Sequence, residues 1–67
     1  MTKKDYIKIA KVLKEIKPKK IDTENVHSYG LRLALWDKIV VNLADIFKED
    51  NDRFDKIKFF RAVGYLD

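Results

Sequence analysis

The sequence predicts an all-α fold, a small three-helix domain with a long central helix and a short C-terminal helix. Three observations carry this reading. Apolar residues recur at spacings of three and four through Leu33, Trp36, Ile39, Val40, Leu43, Ala44 and Phe47, which marks one face of a helix with 3.6 residues per turn. The chain has two glycines and one proline, so the residues that break helices are scarce. No period-2 run is long enough to read as a strand, and there is no internal repeat or low-complexity tract.

The first helix is expected over about residues 3–17 of "MTKKDYIKIAKVLKEIKP". Thr2 as N-cap and Asp5 three residues on form a capping-box arrangement, with an acid at the positive helix end. Tyr6, Ile9, Leu13 and Ile16 then share one face, with Lys4, Lys8, Lys11 and Lys14 opposite. Pro18 stops the helix, because the residue before a proline is pushed out of the α region. The next segment, "PKKIDTENVHSYG", mixes charges, candidate caps (Asp22, Thr23, Asn25, Ser28) and scattered apolar residues. Residues 18–30 are read as a loop with at most a helical turn.

The central helix is expected from Gly30 to Asp50 as one continuous rod. Leu35 and Ile46 flank its main stripe and widen the apolar sector to about half the circumference, the mark of a helix covered on two sides. Asp37, Lys38, Asn42, Asp45 and Glu49 form its polar side, where Val41 is an apolar intruder. Asp55 can cap a short third helix over 55–63, with Asn51 or Asp52 as alternative caps. On that helix Ile57, Phe60 and Val63 make one face with Phe59 at its edge. Gly64 suits the left-handed position that ends it, after which Tyr65 and Leu66 can fold back onto the core.

At 67 residues the chain reads as a single domain, 1–67, near the lower size at which one core holds without staples. It has no cysteine and one histidine, which excludes disulfides, thiolate metal sites and His-rich zinc sites. No secretory h-region or bilayer-length apolar run is present, and a cytoplasmic protein without membrane contact is expected. Net charge is +4, with eight lysines in the first twenty residues against only Asp5 and Glu15. The N-terminal third is therefore a basic arm on a mildly acidic body.

The acids Glu49, Asp50, Asp52 and Asp55 invite a calcium reading. An EF-hand loop starting at Asp50 would have Phe54 at position five, Asp55 at the glycine position and Arg61 at the bidentate acid. The template fails there, and helix capping explains the same residues. His27 has Ser28 beside it and no spaced acid to orient it, Asp45 and Glu49 read as solvated charges, and no Gly-rich phosphate loop exists. The expectation is a protein that is not an enzyme and needs no cofactor or metal.

Two binding readings follow. Lys4, Lys8, Lys11 and Lys14 could neutralise phosphates in a salt-dependent contact with nucleic acid. Lysine rather than arginine dominates there, so bidentate base readout is not expected. A helix-turn-helix built on the second and third helices is disfavoured, because acids surround the start of the would-be recognition helix. Protein binding or self-association has its own signs: Ile7 among lysines, Val41 on a polar side, and the wide apolar sector around Trp36. Ile7, Val41 and Trp36 are the candidate partner-binding residues, and this second reading is preferred.

"WDKIVVNLADIFKEDNDRFD" and "FFRAVG" together resemble the C-terminal half of small uncharacterised proteins carried by bacteriophages and prophages. Asn51, Phe54, Asp55, Phe59, Ala62 and Gly64 fit their pattern, with Asp52 in place of a usual proline and Val63 in place of a frequent cysteine. The resemblance covers about half the chain and implies a viral protein in the host-cell cytoplasm, with no assigned activity. Small phage proteins of this kind are often accessory factors that bind host proteins or nucleic acid.

Overall fold

A computed structural model describes residues 1–66 and shows three helices: α1 (Lys3–Ile16), α2 (Val26–Asp50) and α3 (Lys56–Val63). No strand occurs among the described residues. The 25-residue α2 rises about 37 Å at 1.5 Å per residue and sets the long dimension of a molecule of 42 × 18 × 18 Å. It runs unbroken through Val41, as its apolar repeat requires.

Local chemistry fixes each boundary. At the start of α1 the Asp5 carboxylate accepts from the Thr2 amide at 2.9 Å, closing the returning arm of the capping box. Pro18 ends the helix, which leaves Lys17 extended. The Asn25 side chain caps α2, accepting from the Ser28 amide at 2.8 Å. α2 therefore begins four residues before Gly30, and the expected loop is shorter than 18–30. Arg32 fixes this start: its guanidinium grips Glu24 with two bonds, of 2.8 and 2.6 Å, and the Lys19 carbonyl with a third. Asp55 caps α3 by accepting from the Lys58 amide at 3.0 Å, and Gly64 ends it with φ 81°, the left-handed conformation that a side chain disfavours. Asn51 is not the N-cap of α3; it is the C-cap of α2, its amide donating to the Phe47 carbonyl, and its side chain braces the connecting turn by accepting from the Arg53 amide.

The core consists of Ala10 and Leu13 from α1, Trp36, Val40, Ala44 and Phe47 from α2, Phe54 from the connection, and Phe59 and Val63 from α3. At one end Tyr6, Phe47, Phe54 and Phe59 form an aromatic knot that draws on all three helices, with centroids 4.7–5.5 Å apart, the spacing aromatic pairs prefer. At the other end Tyr65 folds back, donating its amide to the Phe60 carbonyl and setting its ring beside Trp36 and Phe60. α1 therefore runs antiparallel to α2, and α3 returns beside α1.

Three expected faces are rotated. On α1 the buried stripe is Ala10 and Leu13 with Tyr6 and Ile9 half-buried, while Ile16 is exposed. On α2, Ile39 turns outward. On α3, Phe59 is buried and Ile57 exposed, the reverse of the expected pair. α3 packs on both other helices, whereas the backbones of α1 and α2 approach each other only slightly.

Gly30 lies inside α2 with open space where a Cβ would stand. Gly30→Ala should therefore raise unfolding stability by about 1 kcal/mol, the difference between glycine and alanine in a helix interior. A denaturant melt checks this, and a loss of stability would mean the helix does not start at Val26.

Candidate protein-binding surface

The fold leaves one flank of α2 uncovered. The Lys56–Asp45 ion pair, at 2.5 Å, shows that α3 lies on the Asp45 side of α2. At 100° per residue, Leu35, Ile39 and Ile46 fall on the opposite flank of the buried stripe. On α1, Ile7 and Ala10 share a cleft with Lys58 and Ala62 of α3, and Val12 and Ile16 fall on the other flank. The two uncovered flanks therefore border the same groove between α1 and α2, on the side away from α3.

Its apolar residues are Val12 and Ile16 of α1 with Leu35, Ile39 and Ile46 of α2, all between 42% and 62% exposed. Along α2 they reach about 16 Å, from Leu35 to Ile46 at the helical rise. Asn42 interrupts them between Ile39 and Ile46. Single exposed apolar residues are ordinary, but a cluster of them along two adjacent helices is the kind of patch that marks an interaction site.

The named candidates are distributed unevenly. Ile7 is exposed, but it faces the cleft toward α3 rather than this groove. Val41 is half-buried, because α3 crosses the Asp45 side of α2 where Val41 lies. Trp36 is 4% exposed and offers no surface to a partner: its indole N–H donates to the Leu13 carbonyl at 2.9 Å. The Lys17 ammonium lies 5.3 Å from the centre of the Trp36 ring and donates to the Gly64 carbonyl. Lys4, Lys8, Lys11 and Lys14 are all exposed on the outer side of α1, with Glu15 set among them. The wide apolar sector is a sign of association in the sequence, but the sequence centres it on Trp36; the residues that the fold exposes are Leu35, Ile39 and Ile46 with Val12 and Ile16, and these the sequence does not single out as a surface.

The charges elsewhere serve local structure. Asp45 is not simply solvated, since Lys56 holds it. In the acidic connection the Lys48 ammonium donates to the Asp52 and Phe54 carbonyls. No group of three metal-ligating side chains occurs among the described residues. No helix among them is long and apolar enough to cross a membrane. No family model, curated protein or solved structure matches this chain.

Two carboxylates are held below their usual range. The Thr2 amide bond lowers Asp5, and the Arg32 guanidinium lowers Glu24 and is itself raised in return. A carboxylate whose folded pKa is depressed contributes stability that is complete above its unfolded value, near 4, and is lost as pH falls through the folded value. Unfolding stability should therefore decline on acidification below about pH 5. The Asp5→Asn, Glu24→Gln double variant should show a shallower decline in the same chemical melts, and an unchanged slope would remove both groups from the account.

Proposed function

We propose that this protein is a non-catalytic accessory factor, of the phage type its sequence resembles, that acts by self-association through the α1–α2 groove. The uncovered apolar strip is the observation that carries the reading. A second copy is the partner that the charges favour. Toward the start of α2 the strip is flanked by Arg32, which bridges Glu24, and by Lys19, whose carbonyl Arg32 holds; the far end carries Glu49 and Asp50. Two copies related by a two-fold axis with their α2 helices antiparallel set each basic end against an acidic end, in the self-complementary manner of a closed dimer. Asn42 within the strip suits this, since one polar residue among apolar seam positions fixes register at some cost in stability.

The perturbed titratable groups support a binding role over catalysis, because Asp5, Glu24 and Arg32 all serve a helix cap or an ion pair at a helix end. A second reading, nucleic-acid binding, has one favourable observation: Lys4, Lys8 and Lys11 stand exposed within about 60° of one another on α1. A surface of this kind binds phosphates in a salt-dependent way and reads no sequence.

Sedimentation of the purified chain should show a concentration-dependent dimer. Leu35→Glu with Ile39→Lys should return it to monomer while the helical circular dichroism is kept, since both side chains are exposed. A monomer at every concentration, or a dimer indifferent to these changes, would sink the proposal. In gel shifts on random duplex DNA, Lys4→Glu with Lys8→Glu should change nothing. A salt-sensitive shift abolished by that pair would transfer the function to the lysine face.

A further inference from the structure

On the other side of α1, away from the groove, lies a second feature that self-association does not use. A cleft of about 460 Å³ opens between the N-terminal half of α1 and α3, within the size range of small-ligand sites. Its walls are apolar, built from Ile7 and Ala10 of α1, Phe59 and Ala62 of α3, and Phe54 of the connection. Lys3, Arg53 and Lys58 also line it, and none of the three has an ion-pair partner among the described residues. Asp55, the one carboxylate there, is occupied in capping α3 through the Lys58 amide.

Tyr6 closes the inner wall of the cleft. Its ring lies against Phe47 and Phe54, and it contributes to the cleft lining. Its hydroxyl is buried with no hydrogen-bond partner. The hydroxyl has essentially no exposed surface, so the polar chemistry of the cleft is carried by Lys3, Arg53 and Lys58.

The geometry points to a binding site for an amphiphilic anion. A carboxylate head meets Lys3, Arg53 and Lys58, and an apolar body lies over Phe54, Phe59 and Ala62. Arg53 can take a carboxylate with two parallel bonds, and the two lysines add charge around it. A phosphate chain fits poorly, because it brings no apolar body to the walls that make up most of the site. A cationic or neutral amphiphile meets the same walls without the charge partner.

The chemistry has two sources, a free fatty carboxylate or the C-terminal carboxylate of an apolar peptide, and a titration of the full chain distinguishes them. Amide resonances are followed as dodecanoate is added below its aggregation concentration, and separately N-acetyl-Leu-Phe with a free carboxylate. Dodecyltrimethylammonium and the peptide's C-terminal amide serve as controls. Saturable shifts at Ile7, Ala10, Lys58 and Ala62 with either anion are expected, and the tighter binder names the source. Arg53→Glu with Lys58→Glu should weaken that binding on the order of tenfold or more. Ala62→Phe, which fills the cleft from an exposed position, should weaken it without reversing any charge. The proposal fails if neither anion gives saturable shifts, if the controls bind equally well, or if the shifts fall on Leu35 and Ile39 instead.

Discussion

The fold turns on one hydrogen bond, from the Trp36 indole to the Leu13 carbonyl. In an uninterrupted helix that carbonyl would accept from the amide of Lys17. Pro18 pulls Lys17 out of helical conformation, and the Lys17 amide bonds to the Lys14 carbonyl instead. Leu13 is buried, so its carbonyl would be an unsatisfied polar group in the core, at a cost of about 1–3 kcal/mol. Trp36 supplies the missing donor from the middle of α2. The same indole carries the Lys17 ammonium over its face, and Lys17 reaches on to the carbonyl of Gly64, the residue that caps the end of α3. One side chain thus joins the ends of α1 and α3 to the central helix.

This joint also explains the open groove. Trp36 at one end, and Tyr6 against Phe47 at the other, are large side chains standing between α1 and α2. They hold the two backbones apart, and α3 with its small Ala62 and Val63 closes only one side of the resulting wedge. The other side shows Val12, Ile16, Leu35 and Ile39 to solvent. Three helices with one of only eight residues cannot wrap a spine of twenty-five. The apolar width of α2 exceeds what α1 and α3 cover, and the proposed dimer would cover the remainder.

Much of this was legible in the sequence, and the reason differs from one element to the next. Helix existence follows from periodicity over several turns, which is why Lys3–Ile16 and Lys56–Val63 match expectation to within a residue or so. Caps are equally local: Asp55 and Gly64 act as their types suggest. The start of α2 was not legible, because four candidate caps competed and the deciding grip, Arg32 on Glu24 and Lys19, spans up to thirteen positions. Trp36 reads as an anchor for a partner just as well as an anchor for the core, and only the position of Leu13 separates the two. The groove was hidden for a related reason. A wide apolar sector states that something covers a helix, but not whether the cover belongs to the same chain.

The size of the domain makes that last distinction one of energy. A chain of 67 residues buries only about 60% of its unfolded surface, and here five large aliphatic side chains of α1 and α2 remain outside the core along one groove. Covering them in a dimer would add burial to a domain with little to spare, at about 25 cal/mol for each Å² of apolar surface removed from water. Folding and association would then be linked, with stability rising with protein concentration because the partner binds only the folded state. The cleft between α1 and α3 differs in kind. Its aromatic walls already belong to the core knot, so an occupant there would add little to the burial that holds the fold together. On the proposed reading the groove would carry the coupling between assembly and stability, and the cleft would stay open to a ligand in monomer and dimer alike.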